Sequence, residues 1–154
     1  MTDGFIMTAT AHALIGGAIA STVPDPVIGL SLSFISHPLL DLIPHWDFAE
    51  NWRTKKSSKL FLEASLDLGF GVLLSYFLFG ASVNLWYFFG CILVSEIWDL
   101  LEAPYWLLGW KFPPFSWLYN IQSNMQDKLR LPWGIITQIV TVVAVVLVFQ
   151  FQFL

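Results

Sequence analysis

Five long hydrophobic segments follow one another along the chain, joined by connections of different lengths. Each segment holds roughly 20 residues, the length of helix that crosses a hydrocarbon core of about 30 Å. No segment alternates apolar and polar positions as the strands of a membrane barrel do. The pattern predicts an all-α polytopic membrane protein with about five transmembrane helices in a single domain, residues 1–154. The segments run from Phe5 to Val23, Val27 to Pro44, Lys59 to Gly80, Val83 to Leu108 and Pro132 to Leu154.

The composition supports a membrane protein and argues against several other classes. Hydrophobic residues make up 56% of the chain and charged residues only 12%, whereas soluble domains carry roughly 25% charged residues. With 7 Lys and Arg against 11 Asp and Glu, there is no basic stripe for a nucleic acid. The single Cys91 excludes a disulfide framework. We expect an integral protein of the plasma (inner) membrane that binds no nucleic acid, and self-association into a homo-oligomer stays open.

The basic residues predict the orientation of the chain in the membrane. All of them fall between the second and third segments, or at that boundary, and between the fourth and fifth segments. With five spans these two connections share a side, and the positive-inside rule makes that side cytoplasmic. The N-terminus is then cytoplasmic and the C-terminus lies outside. The residues concerned are Arg53, Lys55, Lys56, Lys59, Lys111, Lys128 and Arg130.

The connection from Trp110 to Leu131 has a pattern of its own. Leu118, Ile121 and Met125 recur at near-helical spacing, among aromatic residues of the kind found at membrane interfaces. This pattern predicts an amphipathic helix lying in the cytoplasmic interface. An ordered surface loop is the alternative.

Ionisable side chains concentrate in the cytoplasmic half of the predicted spans. At a rise of 1.5 Å per residue they lie roughly 5 to 20 Å from the cytoplasmic ends of their helices. The outer half carries only Asp25, in a short external turn. Because a charge inside a bilayer costs about 3 kcal/mol or more, each inner group is a functional candidate. The set is His12, His37, Asp41, Glu63, Asp67, Glu96, Asp99 and Glu102.

The spacing on the second segment points to metal chemistry. His37 and Asp41 lie at i and i+4 on one helical face, and His45 continues the row. Apart from Lys59 at a boundary, no Lys or Arg lies within the spans, so protons or a cation must neutralise the acids. Imidazole with carboxylate is a ligand set for zinc, and it also suits manganese or iron. We favour a metal site; a protonated hydrogen-bonded network and a proton or ion pathway stay open.

Pro38 adds a second argument for a site on this segment. Proline removes a backbone N–H and disfavours helical geometry at His37 before it. A break here exposes backbone polar groups, which protein or a water-filled cavity must satisfy. With His37 and Asp41 beside it, the sequence favours an interrupted helix at Pro38 over a simple proline kink, and it predicts a bend near Pro104.

The pair Ser36-His37 followed by Asp41, with His12 on the first helix, resembles the predicted membrane-bound metal-dependent hydrolases of the YdjM type. That group is similar to the zinc-dependent phospholipase C and nuclease P1 superfamily. The resemblance covers little more than the first third of the chain. It implies that His12, His37 and Asp41 bind the metal and that the reaction is phosphoester hydrolysis. The Leu-Pro-Asp-x-Asp and His-Arg-Gly-x-Thr-His-Ser stretches of the family are missing here.

These observations lead to one functional hypothesis with three rivals. We expect a membrane-embedded, metal-dependent hydrolase that acts on a lipid-linked phosphoester at the cytoplasmic leaflet. A divalent metal, zinc before manganese or iron, activates water and polarises the phosphoryl oxygen. The rivals are an ion or proton transporter, a di-iron carboxylate oxidoreductase and a non-catalytic scaffold. The expected metal ligands are His12, His37, Asp41, His45, Asp67, Glu96 and Asp99; Asp47 joins His45 at the mouth, and Glu63 or Glu102 is the general base.

Overall fold

The computed structural model describes residues 8–46, 52–125 and 129–152, and every regular element within those ranges is helical. The all-α prediction is therefore confirmed for this part of the chain. Short 3₁₀ turns lie at Trp52–Thr54 and Gly80–Ser82. The α-helices are α1 (Ala9–Thr22), α2 (Pro26–Asp41), α3 (Ser57–Phe79), α4 (Leu85–Ser95), α5 (Ile97–Leu107), α6 (Phe115–Met125) and α7 (Trp133–Gln152).

Helix α1 is the centre of the fold and packs against α2, α3, α4 and α7. Small residues allow the close approach to α3: a Cβ built on Gly17 would lie 1.9 Å from Ser75 Oγ, and one on Gly71 would lie 2.5 Å from Thr10 Cα. The Ser75 hydroxyl donates a hydrogen bond of 2.9 Å to the carbonyl of Ala13 at this contact. Small-residue contacts of this kind are typical of closely packed membrane helices.

Contacts at the two ends of the bundle show that the helices run up and down. At one end, the Tyr87 hydroxyl near the start of α4 donates to the carbonyl of Val23, in the turn between α1 and α2. At the other end, Thr137 of α7 donates to the carbonyl of Pro44, just beyond α2. We call this second end the site end. The end of α2 and the starts of α1, α3 and α7 lie toward it.

The fourth predicted segment is two helices rather than one. Helix α4 ends at Ser95 and α5 begins at Ile97, with Glu96 between them at φ −95° and ψ −4°. The backbone carbonyl of Ser95 accepts a hydrogen bond from the His37 ring. The interruption therefore lies at a backbone carbonyl that accepts a hydrogen bond from a side chain of α2.

Helix α2 continues through Pro38 to Asp41, so the predicted interruption at Pro38 is wrong. A proline leaves the carbonyl four residues earlier without its helical donor. That carbonyl belongs to Phe34, and the indole N–H of Trp98 donates to it at 3.2 Å. A side chain of α5 thus replaces the missing backbone bond. Helix α5 also contains its proline, Pro104, and the bend expected there stays a prediction.

One segment in the described ranges is long and apolar enough to cross a membrane. It is Ser57–Ser82, which is 26 residues long. Two shorter apolar helices are Leu85–Ser95 and Trp133–Phe149. Helices α1 and α2 have 14 and 16 residues, which is shorter than the roughly 20 that a full span needs.

The connection after α5 contains the helix α6, so of its two interpretations the ordered loop is wrong. Tyr119 and Gln122 form its buried face, whereas Trp117 and Ile121 are exposed. Four features of the sequence prediction lie outside the described residues: the start of the first segment at Phe5, the end of the fifth at Leu154, the mouth residue Asp47 and the basic Lys128.

Candidate metal centre

Three predicted ligands from two helices meet in the interior. His12 of α1 and His37 and Asp41 of α2 are buried, with at most 1% of each residue exposed. One donor atom from each lies within 4.8 Å of the other two. His12 Nε2 is 3.3 Å from Asp41 Oδ1, and His37 Nε2 is 3.3 Å from Asp41 Oδ2. This buried group could hold a metal ion.

A hydrogen bond to the backbone fixes the orientation of His37. Its Nδ1 contacts the carbonyl oxygen of Ser95. Because a carbonyl can only accept, Nδ1 carries the proton, and in the neutral ring the lone pair is on Nε2. Metal-binding histidines are commonly held in this way, with one ring nitrogen donating to a carbonyl or carboxylate and the other facing the metal.

The free nitrogen of His37 faces two carboxylates. Besides Asp41, Asp99 of α5 brings its Oδ1 to 3.2 Å from His37 Nε2. A nitrogen lone pair and two anionic oxygens repel one another unless a proton or a cation lies between them. The separations of 3.2 and 3.3 Å match neighbouring ligands of a tetrahedral ion with bonds of about 2.0–2.1 Å. The arrangement therefore suits a small divalent cation.

The two imidazoles lie face to face. Their ring centroids are 3.8 Å apart and their planes are inclined by 13°. Stacking places both ε-nitrogens on the side of the Asp41 carboxylate, one toward each oxygen. A carboxylate that contacts two imidazoles in this way can bridge them through a proton or a metal ion.

Two residues of the site were not predicted from the sequence. The amide nitrogen of Gln122 donates to Asp99 Oδ1 at 3.2 Å and lies 3.3 Å from His37 Nε2. The Ser95 hydroxyl donates to the carbonyl of His12 at 3.0 Å and so ties α4 to α1 beside the ligand. Gln122 lies on α6 and Ser95 at the end of α4. No spacing in the sequence relates either residue to the histidines.

Asp67 has a different set of contacts from those expected of a ligand. Its carboxylate accepts hydrogen bonds from the Ala9 amide at 2.7 Å and from the Thr10 hydroxyl at 2.6 Å. These donors belong to the first turn of α1, whose backbone N–H groups have no helical acceptor. Asp67 therefore caps α1 from the neighbouring α3, and the compact His–Asp group does not include it.

Glu63 also lies outside the compact group. It forms ion pairs with Lys55 at 2.9 Å and with Lys59 at 3.8 Å. Both lysines are at the start of α3 or just before it, at the site end. As a partner of two ammonium groups, Glu63 is a poor candidate for the general base that the sequence suggested.

The remaining predicted residues are buried. Glu96 and Glu102 are each 3% exposed and lie one turn before and one turn after Asp99. Within the ranges that the structure describes, Glu96 Oε1 has no hydrogen-bond partner. His45 is also 3% exposed, and its Nδ1 contacts the carbonyl of Ile43 at 2.7 Å. The predicted roles of these three residues stay predictions.

The fold and the site define a class: an all-helical protein whose buried His12, His37 and Asp41 could hold a metal ion. Comparisons with protein-family models, with curated proteins and with solved structures gave no significant match. The function is therefore inferred from the geometry of the site.

Proposed function

We propose that this protein is a membrane-embedded, metal-dependent hydrolase that acts on a lipid-linked phosphoester at the cytoplasmic leaflet. The observation that carries the proposal is the buried group of His12, His37 and Asp41. Zinc is the metal we expect, and manganese and iron(II) are the alternatives.

The apolar exterior supports a location in the membrane. On α3, Leu66, Leu73 and Phe77 are 65%, 71% and 84% exposed. On α7, Ile139 and Val140 are 58% and 60% exposed. Soluble monomers rarely expose apolar surface on this scale. Helix α3 would cross the bilayer alone, α4 and α5 would cross it together, and α1, which is largely buried, would lie within the bundle.

The position of the site supports a substrate that approaches from the cytoplasmic interface. His12 is near the start of α1 and Asp41 is the last residue of α2, both toward the site end. The basic residues that the structure describes lie in, or directly beside, the connections at that end. A phosphate headgroup could reach the metal from this side while its acyl chains stay in the lipid.

The chemistry follows from the donor set. A bound divalent cation supplies an acidified water molecule and polarises a phosphoryl oxygen. His12, His37 and Asp41 would hold that cation, with Asp99 beside it. Glu102 or Glu96 would accept the proton of the attacking water, because both are buried carboxylates on the same stretch as Asp99. The resemblance of Ser36-His37 and Asp41 to membrane-bound metal-dependent hydrolases supports the same reaction.

Metal analysis combined with activity tests the proposal. The full chain is purified in detergent, its metal content is measured, and hydrolysis is followed with bis(4-nitrophenyl) phosphate and with phosphatidylglycerol vesicles. We expect about one equivalent of metal and measurable hydrolysis of at least one substrate. His12→Ala, His37→Ala and Asp41→Asn should each abolish both. Glu63→Gln is the matched control, because its partners are Lys55 and Lys59.

The contrary results would overturn the hydrolase and separate its three rivals. Bound metal without hydrolysis of either substrate would overturn the hydrolase. Folded wild-type protein without metal, but with proton flux in vesicles, would favour the transporter. Stoichiometric iron with visible absorbance would favour the oxidoreductase. A folded protein with neither bound metal nor proton flux would favour the non-catalytic scaffold.

A further inference from the structure

The side-chain amide of Gln122, on α6, contacts two atoms of the candidate centre that face each other: His37 Nε2 of α2 and Asp99 Oδ1 of α5. Gln122 is 3% exposed. Its Nε2 donates to Asp99 Oδ1 at 3.2 Å and lies 3.3 Å from His37 Nε2. Since Ser95 holds the proton of His37 on Nδ1, the Nε2 atom is an acceptor in the neutral ring. The NH₂ group of Gln122 therefore donates a hydrogen bond to each of these two acceptors, which a bound cation would otherwise link.

The other half of the same amide has no partner. Gln122 Oε1 is buried and accepts no hydrogen bond from any residue in the described ranges. A buried polar atom without a partner costs free energy, so such an atom calls for an explanation. Amide oxygens are ligands of divalent cations that prefer oxygen. A half-turn about the last side-chain bond exchanges the NH₂ group and the oxygen.

We propose that Gln122 is a metal ligand delivered by α6. Its NH₂ group bridges His37 and Asp99 in the metal-free site, and its Oε1 turns toward the cation when one binds. This inference rests on the proposed metal centre and adds a ligand from a fourth helix. The donor set then combines imidazole nitrogens with carboxylate and amide oxygens, a mixture that suits manganese(II) and iron(II) as well as zinc.

The packing of α6 against α5 means that a metal ligand on Gln122 would also affect how α6 is held in place. One turn before Gln122, the buried Tyr119 stacks on Tyr105 of α5, with ring centroids 4.1 Å apart. Helix α6 is therefore held to α5 at two points, the tyrosine stack and the contact of Gln122 with Asp99. A cation bound by Gln122 would strengthen the second point. Metal binding and the docking of α6 are then linked.

Metal titrations of Gln122 variants test the ligand. The full chain in detergent is titrated calorimetrically with Mn²⁺ and with Zn²⁺. Gln122→Ala and the size-conserving Gln122→Met should weaken Mn²⁺ binding by about tenfold or more, the usual effect of losing a supporting group at a metal site. Gln122→Glu should bind Mn²⁺ at least as tightly as the wild type, because it keeps an oxygen donor and adds charge.

A second buried glutamine supplies the control. Gln138 is 6% exposed, and its amide nitrogen donates to the carbonyl of Trp46 at 2.6 Å. Gln138→Glu and Gln138→Ala should leave the affinity for both metals unchanged. Circular dichroism checks that each variant is folded; where Gln122→Ala is not, Gln122→Met and Gln122→Glu still decide the question.

The outcomes separate this inference from the proposed function. Unchanged or tighter Mn²⁺ binding in folded Gln122→Met, or weaker binding in Gln122→Glu, would overturn the ligand role. If His37→Ala loses the metal while the Gln122 variants bind like wild type, the metal centre stands and this inference falls. If the folded wild type binds neither metal, the centre itself falls and the inference with it.

A spin label on α6 gives a readout that packing alone would not move. Asn120 is exposed on α6, and the one cysteine of the sequence, Cys91, is buried, so an Asn120→Cys variant can be labelled selectively. Diamagnetic Zn²⁺ should reduce the mobility of this label in the otherwise wild-type protein. It should not do so when Gln122→Met is added. Equal immobilisation in both backgrounds would contradict the link.

Discussion

At the scale of single residues, the ionisable groups of the predicted site divide into those that converge on His37 and those with other partners. Asp41 and Asp99 face His37 Nε2 directly. Asp67 and Glu63, which lie on the same helix α3, are instead satisfied by the start of α1 and by lysines. The partners of a carboxylate therefore show whether it belongs to the candidate metal centre, whereas its predicted depth in the membrane does not.

The contacts of Asp67 predict a structural effect without a loss of metal. Asp67→Ala leaves the Ala9 amide and the Thr10 hydroxyl without their acceptor, and it should lower the free energy of unfolding by about 1–3 kcal/mol. Asp67→Asn keeps one acceptor oxygen and should lose less. Thermal unfolding in detergent measures the effect, and metal content is measured on the same samples. A folded Asp67→Ala protein that has lost its metal would instead make Asp67 a ligand, as the sequence suggested.

At the scale of helices, the close contact of α1 with α3 positions His12. The Thr10 backbone is packed against Gly71, and the Ala13 carbonyl accepts from Ser75. These contacts lie on either side of His12 along α1. Any outward shift of α1 would move the imidazole away from Asp41.

Two glycines on α3 test this contact as a matched pair. A Cβ at Gly71 would lie 2.5 Å from Thr10 Cα, whereas a Cβ at Gly69 would meet nothing within 4 Å. Gly71→Ala should destabilise the protein by about 1–3 kcal/mol, because backbone must move to admit the methyl group. Gly69→Ala should be neutral or stabilising by up to about 1 kcal/mol, because alanine favours the helix. Equal stability of the two variants would contradict the close contact.

The sequence predicts elements and faces here better than it predicts partners. Hydrophobic length indicates the helices, and i, i+4 spacing places His37 beside Asp41, because both depend only on helix geometry. The break at Glu96 has no local proline or glycine to signal it, since it accompanies the bond from His37 of another helix. Pro38 misleads for the same reason, because Trp98 compensates for its missing donor. Gln122 belongs to the site only through the docking of α6, which no spacing encodes.

At the scale of the whole molecule, the charged residues are distributed unevenly between the two ends of the bundle. The basic residues that the structure describes, the end of α2 and the start of α1 lie toward the site end. The turn that contains Asp25 lies at the opposite end, beside the start of α4. With the apolar outer faces of α3 and α7, this distribution favours a bundle inserted with the site end toward the cytoplasm.

Cysteine labelling tests that orientation. Because Cys91 is buried, a cysteine introduced at an exposed position reports on its own side of the membrane. Asp25→Cys should react with a membrane-impermeant maleimide in intact cells. Lys111→Cys should react only after the membrane is permeabilised. The reverse pattern would invert the topology, and equal reaction of both in intact cells would contradict membrane insertion of the bundle.

The central claim is that His12 and His37 bind one divalent cation together with Asp41. X-ray absorption at the zinc edge, on stoichiometrically loaded full-length protein, counts the imidazoles in the first coordination sphere. We predict two in the wild type and loss of the bound zinc in His37→Ala. A sphere without imidazole, or a spectrum that His37→Ala leaves unchanged, would contradict the claim.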